Sequence, residues 1–296
     1  MIQLTGRVYA EWDEMTITGQ NTERKSLGPL LTCAWSRAAP PIIAVAVTAI
    51  MATWVGTWMI RGALSRDAHR STRMRFSSVS MALRNYSNIR GHLPDPEVWR
   101  ESVQLPGDNV SPVPLVRPLY SWRVEIVWYL ESWHGTWHPA RPWDDPVNKQ
   151  LVELSFFYAY GVTGTEPYPK SFPETNALAI TGPGTAFGDG KEPPKAVKDV
   201  PPQTILVVET RQSGIPWPAP GDFDIRTMPQ TINSPDGKGI SSRYADGFHV
   251  IFADEWVWLI SNKVPFETLK KFFTIAEARK HDREKLLGPY ALHRGP

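Results

Sequence analysis

The sequence predicts an α+β fold in which a long N-terminal membrane-spanning helix packs on a small antiparallel β-sheet domain. Three observations predict it. The segment 40–60 is apolar and carries no charged side chain, an amphipathic pattern continues from it to residue 91, and short β-rich runs dominate the second half of the chain. The chain is therefore predicted to divide into a flexible tail over residues 1–39, the two helical segments, and a globular domain over residues 92–296.

The uncharged segment PPIIAVAVTAIMATWVGTWMI predicts a transmembrane helix over residues 40–60. About 20 residues at a rise of about 1.5 Å each span the roughly 30 Å of a bilayer's hydrocarbon core. Trp35, Trp54 and Trp58 stand near its ends, where amphipathic rings favour the membrane interface. A buried helix of a soluble fold and a cleaved signal peptide are the alternatives, and the polar stretch before the segment argues against the second.

The helix is expected to continue through residues 61–91 as an amphipathic extension. Apolar residues recur at helical spacing, at Phe76, Val79, Leu83 and Tyr86. Gly91 and Pro94 then supply a stop signal.

The domain after the helix is predicted from short local patterns. Thr204–Glu209 reads as a strand, and Phe248–Phe252 with Trp256–Ser261 reads as a hairpin with a tight turn. Ser121–Trp133 fits both periods and is assigned as a helix. A closing helix is expected with Pro265 in its first turn, and the Gly- and Pro-rich stretch 167–202 is expected to be mostly loop.

Composition restricts the classes of function. The chain of 296 residues is 42% hydrophobic, which is enough for a sizeable core, and its formal net charge of +2 is spread along the sequence. Nucleic acid is therefore disfavoured as a partner. The single cysteine, Cys33, excludes an intrachain disulfide.

Six ordered blocks resemble the pseudopilin-like family of planctomycete bacteria known as domain of unknown function 1559. The blocks are SMALRNYSNIRGHLPD (80–95), SWRVEIVWYLE (121–131), PWDDPVNKQLVE (142–153), GPGTAFGDG (182–190), QTILVVET (203–210) and FHVIFADEWVWLIS (248–261). The resemblance covers roughly residues 40–275. It implies a pilin-like fold, similar to subunits of type II secretion and type IV pili, with the domain outside the cytoplasmic membrane.

The chain departs from this family at two motifs. The pilin processing site and the glutamate that helps pilin subunits to assemble have no counterpart before or within the apolar segment. The family's closing motif, a histidine followed after nine residues by Asp-Gly, reads Tyr244, Asp254 and Glu255 here. These three residues are the remnant of the family motif, and only the aspartate is retained.

Orientation in the membrane is predicted in opposite senses by two arguments. Five arginines fall within residues 61–75, and by the positive-inside rule they would place the following domain in the cytoplasm. The family resemblance implies the outside. We follow the resemblance and expect a single-pass protein of the cytoplasmic membrane with an extracytoplasmic domain.

Residues with the chemistry of a site show no strong motif. His134 and His138 have helical zinc-site spacing, but Gly135 and Pro139 argue against a helix. Gly182, Gly184 and Gly188 are expected to form a structural turn, since no Lys-Ser pair follows them. Calcium is the one candidate cofactor, through the aspartates Asp222, Asp224, Asp236, Asp246 and Asp254, which are otherwise expected to form solvated turns.

Two functions follow from these patterns. The first is a membrane-anchored structural or interaction protein, with the lipid bilayer and other pilin-like proteins as partners and no enzymatic activity. The second is a tethered binding module that takes a glycan or another ligand. Six tryptophans between Trp99 and Trp143 suggest the second, because exposed indoles bind glycans or partner proteins when they are not part of a core.

Overall fold

A computed structural model of the chain describes residues 32–99, 117–130, 137–149 and 174–295. Predictions that fall elsewhere lie outside the described residues. Of the flexible tail predicted over 1–39, residues 1–31 lie outside them, whereas residues 32–39 are helical. The chain divides into two units, Met1–Ile60 and Arg61–Pro296. Each unit is treated by itself below.

Helix α1 extends over Thr32–Arg90. Among the residues described, no helix contains a stretch that is both long and apolar enough to cross a membrane. The fold class predicted from 40–60, with its membrane-spanning helix and single-pass topology, is therefore wrong. A bilayer needs about 20 consecutive apolar residues, and the side chains of this segment are described only from residue 47.

The end of α1 follows the stop signal in the sequence. Gly91 has a φ of +82°, which is left-handed backbone that glycine adopts without steric cost. Its N–H donates to the carbonyl of Ser87 at 2.9 Å and completes the last turn. Within the second unit, the predicted apolar stripe of α1 is buried, at Phe76, Val79, Leu83 and Tyr86.

The central sheet has six strands rather than a small antiparallel set. The strands in chain order are β3 (Ala177–Thr181), β4 (Ile205–Glu209), β5 (Phe223–Asp224), β6 (Gly247–Phe252), β7 (Val257–Ser261) and β8 (Ala291–Gly295). Their order across the sheet is β5-β3-β4-β6-β7-β8. The sheet is mixed because β5 pairs parallel to β3, with Ile180 opposite Phe223. A separate antiparallel pair joins β1 (Glu97–Val98) to β2 (Tyr120–Ser121).

The sequence prediction is right for the hairpin. In the described part of the stretch 167–202 most residues are loop, as predicted, but one strand was missed. Strands β6 and β7 pair antiparallel, as expected, and β4 lies in the predicted run. Strand β3, however, lies inside the stretch predicted to be loop. Its residues ALAIT form a short apolar run between turn residues. Because glycines and prolines surround this run, the local pattern predicts loop instead of a strand.

Both faces of the sheet are buried. Residues alternate between faces along a strand, and in β6 Ile251 belongs to the core that contains Phe76 and Leu83 of α1. Phe248, Val250 and Phe252 belong to a second core with Phe272 and Phe273. The sheet thus lies between α1 on one face and the C-terminal helices on the other.

The C-terminal helices are shorter than the single helix predicted. Pro265 caps α3 (Phe266–Lys270) and does not lie within its first turn. Two further single-turn helices follow, α4 (Ile275–Ala278) and α5 (Arg283–Leu286), capped by Thr274 and Asp282 side chains. The regular apolar spacing predicts one helix here, but the capping residues divide it into three short helices.

The helix predicted for the segment 121–133 is also shorter than expected. Helix α2 covers Trp122–Glu125, with the Ser121 hydroxyl accepting from the Arg123 N–H, and a 3₁₀ turn follows at Val127–Tyr129. The extended backbone of Leu130 ends the helical part.

Arg123 of α2 is fully buried and forms an ion pair with Asp222. Its Nη1 donates to Asp222 Oδ1 at 2.9 Å. Nη1 also donates to the Ala177 carbonyl at 3.3 Å. The other two guanidinium nitrogens donate at 2.8–3.0 Å to the backbone carbonyls of Trp217, Ala219 and Gly221. One side chain thus holds α2 to strand β3 and to the segment that precedes β5.

Asp222 holds the same junction from the opposite side. Its Oδ1 also accepts from Trp122 Nε1 at 3.1 Å and from the Ala179 N–H of β3 at 2.7 Å. Burial raises the pKa of Asp222, although Arg123 and these donors act in the opposite direction. The pair is therefore costly to break from either side.

We predict that Asp222→Ala lowers the free energy of unfolding by about 3–5 kcal/mol, because it leaves the buried Arg123 guanidinium without its counter-charge. Urea denaturation followed by circular dichroism measures the change. Glu267→Ala, on the exposed surface of α3, is the matched control and is expected to change stability by about 0.5 kcal/mol or less. Equal effects of the two substitutions would contradict the assignment.

Candidate functional site

Tyr244, at the position of a histidine in the family that the sequence resembles, contacts α1. Its hydroxyl lies 3.1 Å from the Thr72 hydroxyl, and its ring centroid lies 4.0 Å from that of His69. His69 Nε2 lies 2.8 Å from Asp246 Oδ1. Tyr244 therefore helps to hold α1 against the sheet.

Glu255 and Asp254, the other two motif residues, lie in the turn between β6 and β7. Glu255 has a φ of +72°, a conformation that the family's glycine would adopt without strain. Its carboxylate pairs with Arg84 of α1, and its carbonyl accepts from the Ser80 hydroxyl at 3.3 Å. Asp254 pairs with Arg283 of α5 at 2.7 Å. The residues of the motif remnant thus make tertiary contacts that hold helices α1 and α5 in place.

A buried histidine lies near these tertiary contacts. His249 of β6 is fully buried, and its Nδ1 lies 2.7 Å from Glu209 Oε2 of β4. The Ser242 hydroxyl donates to the other oxygen of Glu209 at 2.8 Å. The serine therefore faces the carboxylate and not an imidazole nitrogen, which is not the order of nucleophile, base and acid that a hydrolytic triad needs.

The remaining predicted residues do not form one site. Trp54 is 69% exposed, whereas the side chains of Trp35 and Trp58 and all of His134 lie outside the described residues. The His138 N–H donates to Asn148 Oδ1 at 3.0 Å, so its backbone is part of a turn. The glycines from 182 to 188 do form a turn, closed by the Gly182 N–H donating to the Gly188 carbonyl at 2.8 Å.

The five candidate calcium ligands are dispersed. Each has a different partner: Arg123 for Asp222, Arg226 for Asp224, the Lys238 N–H for Asp236, His69 for Asp246 and Arg283 for Asp254. Within the described ranges, no group of three or more His, Cys, Asp or Glu side chains is arranged to hold a metal ion. Calcium stays a prediction that these residues do not support.

The structure shows an aromatic cleft that the sequence motifs did not indicate. It has a volume of about 290 Å³ and lies between the C-terminal end of α1, β2, α2 and the 3₁₀ turn. We define the aromatic cleft by its lining residues, Tyr86, Arg90, Tyr120, Val124, Glu125, Trp128, Tyr129, Trp137 and Pro139.

Glu125 is held in place inside the aromatic cleft by two tyrosines. The Tyr120 hydroxyl donates to its Oε1 at 3.1 Å and the Tyr86 hydroxyl donates to its Oε2 at 3.3 Å. Burial raises the pKa of Tyr86, and the charge of Glu125 raises it further, so Tyr86 stays a neutral hydrogen-bond donor. Both carboxylate oxygens are therefore fixed in direction.

The rings around this carboxylate pack edge to face. Tyr86 and Tyr129 have centroids 5.9 Å apart at 73°, and Tyr120 and Trp137 have centroids 5.5 Å apart at 88°. Such T-shaped pairs are a favoured aromatic geometry and stiffen the walls of the cleft. Trp128 differs, since it is 59% exposed at the rim.

The sequence indicates a tryptophan-rich region but not the cleft that its residues line. Glu125 was read only as one polar position in an ambiguous segment, and Tyr86 as one position of an apolar stripe. The available signal was the density of aromatic residues on both sides of Glu125 in SWRVEIVWYLESW. The contribution of α1 to the cleft depends on a contact across 39 residues, which local patterns do not show.

Comparison with known proteins adds no relative. The chain matches no family model, no curated protein and no solved structure. The resemblance to pilin-like proteins therefore stays a prediction made from the residues.

The second unit has an expected pH dependence at His293 of β8, which is hydrogen-bonded to Arg73 of α1. Partial burial lowers the pKa of His293, and the positive charge of Arg73 and the proximity of His249 lower it further. The folded state therefore takes up this proton less readily than the unfolded chain, whose histidine has an ordinary pKa of about 6.5. Stability is expected to fall as the pH drops below that value.

We predict a decline in the free energy of unfolding from pH 7 to pH 5.5, part of which is lost in His293→Asn. Urea titrations at half-unit pH steps measure both slopes. Above pH 7.5 the slope of the variant should match that of the original chain, which serves as the internal control. A chain that gains stability on acidification, or an unchanged slope in the variant, would contradict the stated cause.

Proposed function

We propose that this protein is a binding module that takes a small organic ligand in the aromatic cleft. The observation that carries the proposal is the cleft itself, in which aromatic side chains from α1, β2 and the 3₁₀ turn surround one oriented carboxylate. Ligand sites are typically concave, mainly apolar or aromatic, and contain a few fixed polar groups. The aromatic cleft is concave, five of its nine lining residues are aromatic, and it contains a fixed carboxylate.

The rim of the aromatic cleft supports the proposal. Val127 before Trp128 is buried, and the 3₁₀ turn projects the indole outward, where it is 59% exposed. An indole at the rim offers a broad apolar face with little conformational entropy to lose on binding. It is the surface on which the flat face of a ligand would stack.

The floor of the aromatic cleft supports it as well. Glu125 accepts hydrogen bonds from Tyr86 and Tyr120, and Arg90 at the end of α1 lines the same cleft. A fixed acceptor and a cationic donor in one lining give orientation to a ligand that the rings attract. This supports the ligand-binding hypothesis and includes the glycans that the tryptophan content first suggested.

We predict that Trp128→Ala weakens ligand binding by about tenfold or more without loss of fold, because Trp128 is a rim residue. Screening a small-molecule and saccharide library by ligand-observed NMR, with calorimetry on the hits, measures the effect. Trp256→Ala is the matched control, since Trp256 is also an exposed tryptophan but does not line the cleft. A library with no hit that depends on Trp128 would contradict the proposed function.

A structural or interaction role is the second candidate, and α1 favours it. Within the unit Met1–Ile60, several apolar side chains of the helix are 41–69% exposed, those of Val47, Ile50, Met51, Trp54, Val55 and Met59. Exposed apolar surface of this kind often marks a protein–protein contact. We propose a second copy of the chain as its partner, because equivalent helices expose the same residues and can pair with twofold symmetry.

We predict that the full chain self-associates at micromolar concentration and that Ile50→Glu weakens this, because a buried charge opposes apolar helix packing. Sedimentation velocity measures the change. Glu267→Ala on α3 is the control. A chain that stays monomeric at about 100 µM would exclude this second candidate.

A further inference from the structure

The charges around the aromatic cleft restrict the class of ligand, and this inference rests on the proposed function. Two carboxylates lie in this part of the structure, because Glu125 lines the cleft and its charge acts on Asp95. Burial raises the pKa of Asp95, His92 opposes this, and Glu125 raises it further. The negative charge of Glu125 thus acts on a neighbouring carboxyl group, and the same charge attracts a cation that enters the cleft.

The tyrosines strengthen this preference. Tyr86 and Tyr120 direct their hydroxyls at Glu125, so these two donors serve the carboxylate and do not face a ligand. What the rings offer a ligand is their electron-rich surface. Aromatic surfaces next to a carboxylate are the environment in which proteins bind organic ammonium groups.

Arg90 is the opposing charge. It lines the same cleft and lies close enough to Tyr86 for its charge to lower the pKa of that phenol, against the effect of Glu125. The cleft therefore contains one anionic and one cationic group on a lining of aromatic residues. A simple cation would meet only the first of them, whereas a ligand with both charges would meet both.

We propose that the aromatic cleft binds a small zwitterion, with its ammonium group against Glu125 and the aromatic rings, and its carboxylate or phosphate against Arg90. Volume is consistent with this class, because about 290 Å³ is near the lower limit of small-molecule sites. A neutral saccharide carries no charge that could pair with Glu125 or Arg90, whereas a zwitterion carries one for each.

The test uses three probes on the full chain, namely glycine betaine as the zwitterion, choline as the cation and glucose as the neutral compound. Isothermal titration calorimetry is expected to give the tightest binding for glycine betaine. Glu125→Gln is expected to weaken binding of both ammonium probes by about tenfold or more. Arg90→Gln is expected to weaken glycine betaine and leave choline unchanged.

Controls separate a lost contact from a lost fold. Circular dichroism and thermal melting establish that Glu125→Gln is folded, and Trp128→Ala at the exposed rim provides a second variant that does not disturb the tyrosine hydrogen bonds. Lys263→Gln is the matched charge control for Arg90→Gln, because Lys263 is exposed and does not line the cleft.

The outcomes distinguish this inference from the function on which it rests. Binding of glucose that depends on Trp128, with no binding of glycine betaine, would overturn the zwitterion assignment and leave the binding module in place. Equal affinity of glycine betaine in the original chain and in Arg90→Gln would overturn the role of Arg90. No Trp128-dependent ligand among these probes or in the wider library would overturn both proposals.

Discussion

The buried ion pair between Arg123 and Asp222 is the constraint on which the rest of the domain depends. A guanidinium removed from water requires a partner for each of its donors, and here the partners belong to β3 and to the segment before β5. Because Arg123 lies in α2, its bonds fix where that short helix begins. The next residues carry Glu125 and Trp128, so the position of the aromatic cleft follows from an interaction outside it.

A second set of polar contacts fixes the other wall of the cleft. Tyr244 and Glu255 bind the part of α1 that lies in the second unit, through Thr72 and Arg84 respectively. The helix continues from these contacts to Tyr86 and Arg90 at the cleft. Residues that resemble a family motif thus act through packing: they set the position of a helix whose end carries two of the cleft's functional groups.

Local patterns predicted the parts of the fold that depend on neighbours in sequence. The hairpin that forms β6 and β7 and the end of α1 at Gly91 were predicted for this reason, since each is specified by residues within a few positions. Strand β3 was missed because its pairing partners lie far along the chain and glycines surround it. The predicted membrane span is wrong for the described residues, among which no helix is both long and apolar enough to cross a bilayer. The cleft could not be predicted, because it needs Tyr86 and Glu125 in contact.

The central claim is that one buried ion pair holds the cleft-forming segment to the sheet, and native-state hydrogen exchange tests it most directly. The account predicts that the amides of Ile126 and Tyr129, which close the short helical turns, exchange with nearly the same opening free energy as the amides of β3. In that case the segment and the sheet open as one unit. Exchange of these two amides through local openings several kcal/mol easier than those of β3 would contradict the account.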